Sequence, residues 1–270
     1  MGDSTRPSSE SIPPRDGYRR VLAQQEKAEL ERLSALEAIA DPHTIALLER
    51  IEVGADWRCT ELGAGAGSIA RWLARRCPAG RLVATDLDTR FLVDLGANAE
   101  VRQHDMRTDD FPAGSFDLVH VRSVLEHLPE RDEVLPRLAE WVAPGGWLVI
   151  EDAVSTSAAS PDAQYRRVMG VVEDTLSRTV GTDLQWARTL PQALSALGFT
   201  DLMLAPATLV IGAGGPVDRF WRATLTQLAE LRTRTGHHDA ADLMALAARL
   251  DDPSFVELSY TIIAIAGRRA

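Results

Sequence analysis

One glycine-rich turn limits what this chain can fold into more than any other stretch: Glu61-Leu62-Gly63-Ala64-Gly65-Ala66-Gly67-Ser68. The run before it, 57–62, reads as a short strand. The run after it, Ile69-Ala70-Arg71-Trp72-Leu73-Ala74, carries apolar positions at helical spacing. Strand, glycine turn and helix form the first crossover of a doubly wound sheet. Glycine lets the backbone turn sharply and approach a ligand that a Cβ would block. The helix behind the turn presents unpaired N–H groups at its N-terminus.

The spacing selects among ligands. A dinucleotide fingerprint reads Gly-x-Gly-x-x-Gly. Here the turn is Gly63-x-Gly65-x-Gly67, with Ser68 where the third glycine would fall, and Glu61 stands two residues ahead. This resembles motif I of the class I S-adenosylmethionine (SAM) dependent methyltransferases, and further elements follow in that family's order. Strand two, Leu82-Val83-Ala84-Thr85-Asp86, ends in an acid about 20 residues after the turn, the distance of a ribose-binding carboxylate. A weak third strand around Val101 leads into Gln103-His104-Asp105-Met106. Gly114-Ser115-Phe116-Asp117 resembles motif II and opens strand four, 116–122. Ala143-Pro144-Gly145-Gly146 has the composition of a type II turn, and with strand five, 147–152, it resembles motif III. No Asp/Asn-Pro-Pro-Tyr run follows strand four, so the adenine and glutamine amino-methylating enzymes are not matched.

The resemblance implies an α/β fold: a Rossmann-like seven-stranded sheet, six parallel strands plus one antiparallel, with helices on both faces and added lid helices. It implies SAM as cofactor and S-adenosylhomocysteine (SAH) as product. The residues implied to hold them are Glu61, Gly63, Gly65, Gly67, Asp86, Leu87, Asp105, Met106 and Arg122. Asp86 would accept from the ribose diol, a charge-assisted pair. Asp105 would accept from the adenine amine, with Met106 packed on the ring. Arg122 either holds a carboxylate or pairs with a neighbour.

Outside that stretch the chain is more particular. Residues 18–40 read as a helix, with Leu30, Leu33 and Leu36 on one stripe. Asp41-Pro42 reads as the cap and first turn of a second helix, closed by Gly54. In the resembled family such helices partly cover SAM and the acceptor. Further helices are expected over 160–180, 191–197, 216–235 and 239–250, with strands at 199–211 and 254–266, the last antiparallel beside strand five. The expected organisation is a disordered tail, 1–16, and a single domain, 17–270. Within it 17–54 form a cap, and 155–190 and 212–253 are lid insertions.

Composition narrows the function. At 270 residues and 45% apolar, the chain suits one α/β domain with a packed core. No apolar run approaches the ~20 residues that span a bilayer, and the N-terminus shows no signal-peptide core. With Cys59 and Cys77 read as reduced thiols, the expectation is a cytoplasmic protein with no membrane contact. A net charge of −10 lacks the basic footprint of a nucleic-acid binder. The expected partner is therefore a small-molecule acceptor.

Methyl transfer from a sulfonium displaces an already activated group, so positioning supplies much of the rate. A base is needed only when the acceptor is protonated and weakly nucleophilic. His127, in Leu125-Glu126-His127-Leu128 after strand four, is the best-placed base. Its alternative is a local hydrogen bond that shapes the pocket. His120, inside a strand covered on both faces, reads as a satisfied core histidine. Glu126 and Asp152 are further acids near the same edge. No His/Asp/Glu spacing argues for a metal, and His237-His238 read as a solvated pair. Tyr165, Met169 and Trp221, on the added helices, are expected to line the acceptor pocket; the alternative is a second small core or a homodimer contact. The expected reaction is transfer of a methyl group from SAM to an O or N atom of a small molecule, a secondary metabolite. Two alternatives remain: a SAM-binding cyclase, decarboxylase or regulator on the same scaffold, and a nicotinamide-dependent oxidoreductase, which the glycine spacing disfavours.

Overall fold

Seven strands and seven α-helices are interleaved along the described residues. The computed structural model describes residues 26–235 and 239–270. The tail at 1–16, the start of the helix expected from residue 18, and His237-His238 lie outside the described residues. A long helix α1 (Glu26–Arg50) precedes β1 (Arg58–Leu62), α2 (Ser68–Arg76), β2 (Arg81–Asp86), β3 (Ala99–Gln103) and β4 (Phe116–Arg122). Then come α3 (Arg131–Trp141), β5 (Val142–Val154), α4 (Ala163–Val180), α5 (Leu190–Ala196) and β6 (Phe199–Ile211). Two helices, α6 (Pro216–Arg234) and α7 (Ala240–Arg249), lead to β7 (Glu257–Arg269).

The seven strands form one sheet in the order β3-β2-β1-β4-β5-β7-β6. Pairings from β3 through β5 are parallel, and β7 runs antiparallel to both β5 and β6. Six strands therefore share a direction and one opposes them, as expected. Sequence order reverses between β1 and β4, where such sheets open a crevice at their carboxyl ends.

Both faces of the sheet are covered. Leu47, Leu48 and Ile51 of α1 pack with Ile69 and Leu73 of α2 over one face. Val134, Leu135 and Leu138 of α3, with Leu190 and Leu194 of α5, cover the other. Burial on both sides explains why β1 and β2 read as near-continuous buried runs rather than alternating ones.

Three sequence expectations need correction. Asp41-Pro42 does not start a second helix, because α1 continues through Pro42. Proline withdraws one N–H from the helix ladder, yet Ile39, Ala40, Leu47 and Leu48 on either side are all buried. Tertiary packing thus overrides the local break signal. Next, β5 is longer than 147–152. It starts at Val142 and runs through the Pro-Gly turn with a register shift against β4, between the Phe116 and Leu118 positions of that strand. Gly145 has φ +78°, as the third position of a type II turn requires. Finally, the last strand lies three residues later than 254–266.

Tyr165, Met169 and Trp221 also need correction. They are buried in a second apolar core built by α4, α6 and α7 with Ile211 and Tyr260. The Trp221 indole N–H donates to Ser259 Oγ at 2.8 Å, and its ring meets Tyr260 edge-on at 4.9 Å. Helices that must bury an apolar stripe have satisfied it against one another.

Candidate functional site

A cavity of about 220 Å³ opens at the carboxyl ends of β1, β2 and β4. Its floor is the glycine turn, and its walls are α1 on one side and 104–107 with 122–129 on the other. Of the residues implied to hold SAM, Glu61, Gly63, Gly65, Asp86, Leu87, Asp105, Met106 and Arg122 all line it, and His127 lines it too. Gly67 does not. It caps α2 at φ +86°, and a Cβ there would press on Arg71, Leu92 and Leu95 rather than enter the cavity. None of Tyr165, Met169 and Trp221 is among the lining residues, and Val180 is the single lining residue from 155–190.

The turn is shaped for a close ligand. Gly65 has φ +57°, and a Cβ there would meet only Leu33, at 3.6 Å; the space that its missing side chain leaves belongs to the cavity. Gly63, at φ +66°, answers a packing need instead, since a Cβ would come within 2.4 Å of Val124. Asp86 secures the turn from β2: its Oδ2 accepts the Gly65 N–H at 2.9 Å and its Oδ1 the Asp88 N–H at 2.9 Å. Burial raises the Asp86 pKa, and these two N–H donors oppose the rise.

The helix α1 is the wall that the sequence expectations named only as a covering cap. Glu29, Leu33, Leu36 and Glu37 face the cavity. Helical spacing cannot distinguish a leucine facing a core from one facing a cavity, so Leu33 and Leu36 carried no separate signal. Glu37 accepts the Ser68 N–H at 3.0 Å, and Asp41 accepts the Ser68 hydroxyl at 2.9 Å. The first turn of α2 has no acid of its own. Helix α1 supplies the negative charge that a helix N-terminus favours. Burial raises the Glu37 pKa, offset in part by the Ser68 N–H.

Below the cavity lies a chain of buried polar groups. His120 sits between two carboxylates, with Nδ1 2.5 Å from Glu61 Oε2 and Nε2 2.9 Å from Glu151 Oε1. Burial pushes its pKa down, but the two glutamates outweigh this and raise it to about 9. The ring is therefore an imidazolium near neutral pH, donating to both acids. Thr44 donates to Glu151 Oε2 at 3.0 Å, and Arg122 donates to Thr44 and to Asp41 at 2.8 and 2.9 Å. Of the two roles left open for Arg122, the structure shows pairing with a neighbour.

His127 is held at both ring nitrogens. Nδ1 lies 2.9 Å from Thr182 Oγ1, and Nε2 lies 3.3 Å from Glu126 Oε1. Burial, together with the positive charges of Arg32 and Arg131, lowers its pKa to about 3. It stays neutral at any ordinary pH. Glu126 and Asp152 are buried beside it and repel, and burial raises both pKa values. Asp152 accepts the N–H groups of Val124 and Glu126 at 3.1 Å each, which favours leaving the charge there. Glu126 then carries the proton. Asp105 pairs with Arg107 at 2.8 Å. His104, next to it, is buried and stacks on Phe111 at 4.7 Å.

Fold and cavity are those implied by the resemblance to class I S-adenosylmethionine-dependent methyltransferases. The family described as "Methyltransferase domain" matches residues 60–150. Methyltransferase str3 of Strobilurus tenacellus is 37% identical over 126 residues, 46% of this chain and 46% of that relative. The match thus spans about half the length of that curated relative. Among solved structures, Haemonchus contortus phosphoethanolamine N-methyltransferase 2, in complex with phosphomonomethylethanolamine and S-adenosylhomocysteine, shares the fold. Its TM-score is 0.62 at 17% identity, covering 98% of this chain and 62% of that one. The [4+2]-cyclase SpnF also shares it, with TM-score 0.53 at 20% identity over 85% of this chain and 81% of that one.

Proposed function

We propose that this protein transfers a methyl group from SAM to an oxygen or nitrogen atom of a small molecule, a secondary metabolite. The observation that carries this reading is the cavity itself: a glycine turn with an open Cβ position at Gly65, the Asp86 carboxylate beside it, and a wall supplied by α1. An enclosed crevice of that kind suits a small acceptor rather than a polymer. The relative from Haemonchus contortus, described with phosphomonomethylethanolamine, supports a small acceptor.

When bound, SAM supplies a methyl group already activated on a sulfonium. The chain's residues then have three tasks. Asp86 takes the ribose hydroxyls, while Asp105, Met106 and Leu87 take the adenine. Glu61, which lines the cavity, faces the cationic methionyl end. Leu33, Leu36 and Val124 exclude water, which leaves positioning as the main source of rate. His127 receives the acceptor's proton where one must leave. It borders the cavity with Glu126 beside it, and because burial lowers its pKa to about 3, this role requires the bound acceptor to change the ring's surroundings and raise its basicity. Both ring nitrogens are engaged in this state, so the imidazole gives up Thr182 when the acceptor arrives.

The experiment is incubation with SAM and a panel of hydroxyl and amine acceptors, following SAH by mass spectrometry. Acceptor-dependent SAH supports the reading. Tight SAM binding with no methylated product from any acceptor favours the second one, a SAM-binding enzyme of another reaction type. The shared fold of a cyclase is the observation behind that alternative.

A further inference from the structure

The chemistry assigned so far leaves one strongly polar group unused. His120 is fully buried, does not border the cavity, and still holds two carboxylates. A neutral apolar side chain in the middle of β4 would suit a covered strand better. Burying an imidazole and two acids is costly unless they are paired and hydrogen-bonded, so fold stability alone gives weak reason for the triad.

Glu61 connects the triad to the cavity. It lines the space, its Oε2 is taken by His120, and no protein donor to Oε1 is seen among the described residues. We propose that His120 is a positioning residue for the cofactor: clamped by Glu151, it fixes Glu61 so that the remaining carboxylate oxygen receives the ammonium of the methionyl end. This rests on the reading of the cavity as a SAM site.

The geometry accounts for the position of Glu61. The His120 imidazole, 2.5 Å from Oε2, takes that oxygen, and Glu151 on the far side holds the ring in place. The other groups facing this triad come from neighbouring elements: Thr44 bonds to Glu151 from α1, and Arg122, from β4, is neutralised by Asp41. Glu37, also on α1, is turned to the Ser68 N–H. None of them replaces His120 as the donor to Glu61.

The test is calorimetry with two ligands, SAH and 5′-methylthioadenosine, which has the nucleoside but no amino-acid end. His120→Gln should weaken SAH by about tenfold or more, the scale of one charge-assisted hydrogen bond, and leave methylthioadenosine within about twofold. In a Glu61→Gln background the same change should add little further loss, because residues acting through one contact are not additive. Equal loss for both ligands, additive loss in the double variant, or no loss at all overturns the proposal. Should His120→Gln fail to fold, Glu151→Gln keeps the imidazole and must show the same split between ligands; its absence is equally decisive. A wild-type protein that binds neither ligand sinks the SAM reading itself, a different outcome from the others.

Discussion

Asp86 Oδ2 accepts the Gly65 N–H at 2.9 Å, so the acid at the end of β2 holds the very turn that it flanks. Two of the residues implied to hold SAM are thus joined before any ligand arrives. Asp86→Ala should weaken SAH binding by about 1.5–3 kcal/mol, the range for hydrogen bonds to a charged group. Asp86→Asn keeps an acceptor and should lose less. Calorimetry on folded variants is the measurement, and unchanged affinity in both removes Asp86 from the site.

Gly65→Val should abolish SAH binding with little loss of structure. Its Cβ meets nothing closer than Leu33, so the branched side chain fills ligand space, at the cost of strain at φ +57°. Gly63→Ala should behave differently: its Cβ would strike Val124 at 2.4 Å, so thermal stability falls first. Circular dichroism beside a binding titration separates the two. A Gly65→Val protein that binds as wild type does would show that the turn holds no ligand.

This contrast shows how far the sequence could be read. The glycine spacing, Asp86 and the order of strands were legible because each meets a local backbone or charge requirement. Gly67 was misplaced because spacing does not say which glycine leaves its Cβ space to a ligand and which to Leu92 and Leu95. The role of α1 was hidden for a similar reason. Asp41-Pro42 carries a local start signal, while the contacts that override it come from Ser68 and Arg122, 27 and 81 residues away. Tyr165, Met169 and Trp221 were legible as an apolar face but not as a face turned to other helices.

His127→Ala should lower turnover by about 10²–10⁴-fold, the range for a lost general base, with SAH affinity nearly intact. Single-turnover kinetics with the best acceptor provides the check. Equal chemical rates in the two proteins assign His127 to the cavity wall, where its bond to Thr182 already gives it a structural role.

Trp221→Ala should cost about 3–5 kcal/mol of stability, as for other buried tryptophans. It fills the second core and also bonds Ser259. Denaturant unfolding measures this, and SAH affinity of the folded fraction should not change. An altered acceptor KM at unchanged stability would return Trp221 to the acceptor pocket.

Alkaline pH should remove a stabilising contribution from His120. Its pKa is about 9 in the folded chain and roughly 6.5 unfolded. The folded state therefore binds the extra proton, and the contribution is complete below about pH 6.5 and lost as pH rises through about 9. Melting temperatures of wild type and His120→Gln should converge across that window. Parallel curves would mean that the ring is neutral when folded.

Pro42 gives α1 a mechanical character that its length alone does not. A helix of 25 residues extends roughly 37 Å, and one missing N–H is where such a rod bends at least expense. That soft point falls between two unlike halves. Glu29 to Glu37 border the cavity, whereas Leu47 and Leu48 are sunk against the sheet. Asp41 and Thr44, on either side of the proline, are pinned by Ser68, Arg122 and Glu151. The rod is therefore clamped at its fulcrum. The cavity-facing half is held from its other side as well, with Arg32 buried over the Phe220 ring of α6, so the wall of the crevice is fixed along its length.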